Sequence, residues 1–218
     1  MRKSIFAVVF MFVVICAHAQ NPSAAKEAAY KLYNRMSLSY SSKSADVKYI
    51  DYDVSLDGIA LAWTIGIPVS QTVPLYMETG LRAAYNWGTD DLVDFEENEY
   101  MDLKHHLFSV LVPVNLTCRF QIPNTNLRLS PYSGLYMRGN IVGRTEVKSK
   151  NLRGTLDWAD SVPDDGIGMK TVSFGWHIGA GLEISRFYLG LGYERDLTDF
   201  AKIVKASSGF SVTAGVVL

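Results

Sequence analysis

The stretch VSFGWHIGAGLEI, residues 172–184, sets Phe174, Trp176, Ile178, Ala180, Leu182 and Ile184 on one parity. Gly175, His177, Gly179, Gly181 and Glu183 fall on the other. A strand turns successive side chains to opposite faces, so this segment has one unbroken oily face. Its second face is small, with a few ionisable groups. A barrel in a membrane needs that division, with lipid outside and a crowded polar lumen inside.

Seven further stretches alternate in the same way. Strands are expected near 33–42, 55–68, 74–87, 106–121, 126–141, 171–185, 187–197 and 208–218. The predicted connections after the first, third, fifth and seventh strands are long. Those after the second, fourth and sixth are short and carry turn residues, as in Pro68-Val69-Ser70-Gln71 and Pro123-Asn124-Thr125-Asn126. Sorting loops by length in this way, with an even strand count, is the pattern of a barrel with short periplasmic turns and long outer loops. The expected fold is all-β, a transmembrane eight-stranded antiparallel up-and-down β-barrel over residues 33–218.

A water-soluble barrel also alternates, but it points its oily face inward. The outer face must then carry groups such as Lys, Glu and Thr. Here the less oily face reads as Gly80, Ala84, Gly134, Gly179, Gly181, Gly190, Gly192 and Gly215 with Tyr76, Tyr132, Tyr136 and Tyr188, and no Lys is expected within the strand interiors. The oily face comprises forty positions and none is charged, whereas the chain's 20% charged content would place roughly eight there by chance. A Lys or Arg at the midplane of a membrane barrel costs about 2–4 kcal/mol. Water imposes no such ban, so the pattern favours lipid. Tyr40, Tyr85, Trp87, Phe108, Phe174, Trp176, Tyr193 and Phe210 gather at the loop-side ends of the oily face, as an aromatic girdle should, with Phe120 and Phe187 at the other rim. Pro113 and Pro131 fall inside predicted strands, where each removes a ladder donor, so a bulge or a locally broken pairing is expected at each.

The start of the chain reads as an export signal. Arg2 and Lys3 precede an apolar run from Ile5 to Ile15, and Ala17-His18-Ala19 is a cleavage site. Residues 1–19 are read as a signal peptide and residues 20–32 as a periplasmic lead-in. Loss of Arg2 and Lys3 takes the net charge from −1 to −3, and no basic stripe suggests nucleic acid. Cys118 alone would survive cleavage; it lies on the oily face, where an inert small hydrophobe is expected. After cleavage no apolar run is long enough for a spanning helix, so a membrane-embedded mature chain must be a barrel.

Nearly all strand charges fall on the inward parity: Arg35, Glu78, Arg119, Arg128 and Glu183 toward the periplasmic end, and Arg82, Arg138, Glu194 and His177 toward the outer end. Both levels mix signs. The structural reading is an ion-paired plug in a lumen just wide enough for side chains to fill. The competing reading is a narrow ion path. Asp90, Asp91, Asp94, Glu96, Glu97, Glu99 and Asp102 make the loop after the third strand acidic, but without the Gly-containing spacing of a calcium loop they read as a solvated run. In the longest loop, basic Arg144, Lys148, Lys150 and Arg153 precede acidic Asp157, Asp160, Asp164 and Asp165, with Trp158 between. It reads as a partner surface or as a self-paired hairpin above the membrane. The nearest approach to a catalytic set is His106 with Ser109 and Asp102, at no recognised spacing, and Gly190-x-Gly192 lacks the third glycine of a nucleotide loop. No enzyme, cofactor or metal is expected.

The stretches LYNRMSLSY (32–40), PLYMETGL (74–81), VPVNL (112–116), SPYSGLY (130–136), GWHIGAG (175–181) and FYLGLGY (187–193) resemble the small porin-family outer-membrane barrels of Gram-negative bacteria, like OmpX and the OmpA barrel domain. The resemblance covers about residues 33–218 and implies a structural or interaction protein, not a chemistry. One departure is Leu218, where such barrels usually end in an aromatic residue read by the assembly machinery. The expected partners are outer-membrane lipid, that machinery and a surface partner met through loops 88–105 and 142–170. The alternatives are a narrow porin-like channel and, further off, a lipid-modifying enzyme.

Overall fold

The computed structural model describes residues 31–46, 53–70, 73–94, 99–149, 153–158, 170–199 and 205–218. The expected signal peptide and most of the lead-in lie outside these residues.

Among the described residues ten strands form one antiparallel sheet. They are β1 (Tyr33–Asp46), β2 (Asp53–Pro68), β3 (Leu75–Asp94), β4 (Glu99–Cys118), β5 (Phe120–Gln121), β6 (Leu127–Lys148), β7 (Arg153–Asp157), β8 (Val172–Ile184), β9 (Phe187–Asp196) and β10 (Ser208–Val217). Eight of them are staves. β1 pairs with β2 on one side and with β10 on the other, through registers such as Leu38↔Leu61 and Leu38↔Ala214. The circuit continues β2–β3, β3–β4, β4–β6, β6–β8, β8–β9 and β9–β10, so the sheet closes and leaves no free edge among the staves. β5 extends the β4 side of the ladder along β6, and β7 is an arm paired to the far end of β6.

The chain orients itself as the alternation requires. Outward residues are apolar and exposed, including Leu61, Leu81, Leu135, Leu189 and Phe210. Inward residues are polar or charged and buried, including Arg35, Glu78, Arg138, Glu183 and Glu194. This is the reverse of a soluble barrel. Removing lumen charges from water is tolerable only with partners at hand, whereas the exposed Leu and Phe belt would be unfavourable in water and is at ease in hydrocarbon. Around one rim the aromatic residues touch: Tyr85 and Trp87 at 6.0 Å between ring centres, Trp176 and Tyr193 at 5.7 Å, and Tyr193 and Phe210 at 5.0 Å.

Three expectations need correction. The long connection after the first strand is partly strand and that after the third largely so: β1 runs on to Asp46, and β3 and β4 pair as far as Asp94↔Glu99. A strand rich in charge reads as loop because solvated strand has no oily face to alternate against. A bilayer needs about 9–11 residues per strand; β3, β4 and β6 have 20, 20 and 22. At about 3.3 Å per residue each therefore projects roughly 30 Å beyond it. Second, Lys43 faces inward and is buried, because the longer β1 carries its inward parity past the predicted end. Third, Cys118 is completely buried, although its parity places it on the outer face.

Both prolines interrupt pairing. The β3–β4 register runs Thr79↔Val114 and resumes at Arg82↔Leu111, skipping Pro113, whose carbonyl accepts from Thr79 Oγ1 at 2.9 Å. The β4–β6 register stops at Thr117↔Tyr132 and resumes through β5 at Phe120↔Leu129, skipping Pro131. A proline has no N–H to give, so the ladder opens there without a change of register. The one shift in the β4–β6 register lies elsewhere, between Phe108 and Ser109, where Phe108 faces Val142 and Ser109 faces Asn140. The extra residue, Ile141, is exposed on the outside.

Candidate functional site

The lumen holds two tiers of ion pairs. Register fixes both, because each inward residue sits beside the inward residue of the neighbouring strand.

In the tier at the turn end, Arg35 on β1 meets Glu78 on β3, with Nη2–Oε2 at 3.1 Å and Nη1–Oε1 at 3.4 Å. The Tyr33 hydroxyl donates to the same Glu78 carboxylate. Glu183 on β8 accepts from Arg119 Nε at 3.0 Å and also from Arg119 Nη2, from Arg128 Nη1 at 2.9 Å and from Ser130 Oγ at 3.1 Å. The Arg119 guanidinium lies over the Tyr33 ring at 3.7 Å and that of Arg35 over Tyr188 at 4.1 Å. Flat cations stacked on aromatic faces pack the turn end of the tube. Glycines make room for these rings: a Cβ at Gly181 or Gly190 would overlap Tyr188, and one at Gly66 would overlap Tyr33.

In the tier toward the loop end, Glu194 on β9 collects three cations. They are Arg82 at 2.8 Å, Arg138 at 3.3 Å and Lys43. Arg138 also reaches Asp196 at 2.8 Å, and the Tyr136 hydroxyl donates to Asp196 at 2.6 Å. Glu78, Glu183, Glu194 and Asp196 all have less than 5% of their side-chain surface exposed. A carboxylate desolvated to that extent is tolerated only with several charged donors around it.

His177 lies between the tiers. Its Nε2 contacts Asn115 Oδ1, and its ring meets Tyr132 and Tyr136 edge-on at 5.7 and 5.6 Å. Here the lumen widens into a chamber of about 80 Å³, lined by Arg35, Arg82, Glu194, Asn115 and the hydroxyls of Ser39 and Thr213 among others.

The sequence reading singled out Arg35, Glu78, Arg82, Arg119, Arg128, Arg138, His177, Glu183 and Glu194. The structure places eight of these in the two tiers and His177 between them. It adds Lys43, Asp196, Tyr33 and Tyr136. The signal for Asp196 was present, since it shares the parity of Glu194 on β9. Tyr33 and Tyr136 carry the right parity too, but nothing in a sequence says which hydroxyl will find which carboxylate.

Beyond the girdle, β6 and β7 form the self-paired arm, closed by Arg144–Asp157 at 3.0 Å. Trp158 then turns inward and is buried, its indole N–H donating to Thr145 Oγ1 at 2.7 Å. Thr145 Oγ1 is 2.9 Å from His105 Nδ1, and His105 Nε2 is 3.1 Å from Asp90. Burial holds the His105 imidazole below its ordinary pKa, and the Asp90 carboxylate works against that shift. At the tip of the first hairpin the hydrogen bond from Lys205, 3.1 Å long, lowers the Asp46 carboxyl. His106, Ser109 and Asp102 do not assemble. Ser109 is buried in the lumen, Asp102 is exposed, and His106 pairs on the outside with the Tyr85 hydroxyl at 2.7 Å.

No protein-family model matches the sequence, and no curated protein matches it. Solved structures do resemble the fold. The attachment invasion locus protein Ail of Yersinia pestis, solved with the heparin analogue sucrose octasulfate, aligns over 86% of this chain and 99% of its own, at 12% identity and a TM-score of 0.41. Neisserial surface protein A aligns over 86% and 96%, at 14% identity and a TM-score of 0.38. The outer-membrane enzyme PagL aligns over 82% and 98%, at 11% identity and a TM-score of 0.38. From the closed ring of eight staves, the uncharged outer belt and the ion-paired interior, the chain is an eight-stranded antiparallel transmembrane β-barrel of the outer-membrane type.

Proposed function

We propose that this is a small, non-enzymatic protein of the Gram-negative outer membrane, exported as a precursor cleaved after Ala19. It acts through its outer face in surface interaction or envelope integrity. The observation that carries this reading is the filled lumen. Two tiers of buried ion pairs cross the tube, and the chamber between them holds only a few waters at about 15 Å³ of cavity each. What the chain presents to the outside is then the β3–β4 hairpin and the β6–β7 arm. Loops 88–105 and 142–170 are the surfaces through which a partner is met.

The competing reading is a narrow channel for ions or small solutes. Planar-bilayer recording separates the two. The filled-lumen reading expects no steady conductance from the wild type. Steady conductance that changes in Arg82→Ala or Glu194→Ala would establish the channel instead. For the partner, capture from surface material should succeed with the intact protein and fail with one lacking residues 143–170. Equal capture by both would move the contact off the β6–β7 arm. A lipid-modifying activity would leave altered lipid A in producing cells, a change that His106→Ala would abolish.

A further inference from the structure

The lumen's ion pairs do not balance. Between Arg119 at the turn end and Asp196 at the loop end, the inward cations are Arg35, Lys43, Arg82, Arg119, Arg128 and Arg138. The inward carboxylates are Glu78, Glu183, Glu194 and Asp196. Among the described residues, six against four leaves two positive charges in excess, one in each tier, the turn-end count including the quarter-exposed Arg128. His177, between the tiers, adds no carboxylate to offset them.

The turn-end excess is at Glu183, which Arg119 and Arg128 share, because Arg35 is matched by Glu78; the loop-end excess is at Glu194, which Lys43 and Arg82 share, because Arg138 has Asp196. Arg82 gives Nη1 to Glu194, and its Nε and Nη2 are buried with no partner among the described residues. Arg35 gives Nη1 and Nη2 to Glu78, and its Nε is likewise buried and unpartnered. Arg35 itself is only 7% exposed. Both residues line the same chamber of about 80 Å³. A buried N–H left without an acceptor is among the costlier defects a fold can carry. Water in the chamber would satisfy the hydrogen bonds but not the net charge. A net charge taken out of bulk water carries its own cost unless a counter-charge offsets it.

We propose that the chamber binds one small monovalent inorganic anion of about chloride size, held between the guanidinium groups of Arg35 and Arg82 and the one free hydroxyl proton of the hydrogen-bonded Ser39–Thr213 pair. The anion lies between the two tiers and offsets the surplus charge of the loop-end tier. It accepts from the three guanidinium nitrogens that no oxygen of the described residues reaches. An organic anion such as gluconate is too large to enter.

The test is to refold the full mature chain into detergent micelles at one ionic strength, in sodium chloride, sodium bromide or sodium gluconate. Thermal unfolding is then read by tryptophan emission. Chloride and bromide should raise the midpoint by a few degrees over gluconate, saturably with halide concentration, as a ligand specific to the folded state does. Arg82→Gln removes two of the orphaned donors and one surplus charge, and should erase the difference. Asp157→Asn, in the distant β6–β7 arm, should keep it. Crystals grown in bromide should show an anomalous peak between Arg35 and Arg82, a readout that holds even where Arg82→Gln fails to fold. Equal midpoints in halide and gluconate, a halide shift retained by Arg82→Gln, or bromide found only on the outer surface would each overturn the proposal.

Discussion

Replacing Glu194 by Gln probes the central physical claim, that the lumen charges stabilise the barrel only as a set. Glu194 has 4% of its side-chain surface exposed and holds Lys43, Arg82 at 2.8 Å and Arg138 at 3.3 Å. Gln keeps the shape and loses the charge. Arg138 retains Asp196, whereas Arg82 has no other carboxylate partner among the described residues, nor has Lys43. Breaking one buried pair by removing a partner costs about 3–5 kcal/mol, since an uncompensated charge stays behind. Two cations are stranded here, so a loss at or above the top of that range is expected. The contrast is Asp157→Asn. Its partner Arg144 is 51% exposed and Asp157 itself 44%, and a surface pair of this kind is worth about 0–1 kcal/mol. The assay is urea unfolding in lipid vesicles, followed by tryptophan emission and by the folded-to-unfolded gel shift. If Glu194→Gln and Asp157→Asn differed by less than about 1 kcal/mol, the tiers would not be a buried network and the reasoning would fail.

Leu135, 61% exposed at the centre of outward-facing β6, should cost about 2–4 kcal/mol as Leu135→Arg in vesicles, and a neutral result would mean that this face does not meet lipid. Gly80→Ala should destabilise by about 1–3 kcal/mol, because a Cβ there overlaps the Trp63 carbonyl, which is backbone and cannot swing away. Gly139→Ala meets nothing nearer than 3.8 Å and should stay within about 0.5 kcal/mol in the same titration. His105 sits beyond the girdle with its pKa held below the ordinary 6.5 by burial. The folded state therefore binds fewer protons than the unfolded one, and its contribution is intact above about pH 6.5 and lost as pH falls through the folded value. Emission from Trp158, whose ring centre is 6.1 Å from that of His105, should report loosening of the arm on acidification, and His105→Gln should flatten that response.

Much of this architecture was legible in the sequence because strand parity is a local property. Forty uncharged positions of one parity identify the face that meets lipid, and the opposite parity names the lumen residues, without any knowledge of which strands are neighbours. The same rule missed Lys43 because the alternation of oily and small residues ends near Ser41, where β1 leaves the bilayer, while the pairing of backbone groups continues to Asp46. Hydrogen bonds extend a strand beyond its hydrophobic signal, so the projecting halves of β3, β4 and β6 carry no alternation by which a sequence could mark them as strand. Pro113 and Pro131 worked the other way, since a missing N–H is visible in any sequence.

The sequence by itself determined the parity of each side chain, the even strand count and the chemistry available to each face, since these follow from the period of an extended chain. Only the tertiary structure decided which arginine meets which carboxylate, that Glu194 gathers cations from β1, β3 and β6, and that Arg35 and Arg82 converge on one chamber. Those pairings depend on closure and stagger. The partners stand far apart along the chain, as Lys43 and Glu194 do, and only the circuit of backbone hydrogen bonds brings them to the same height.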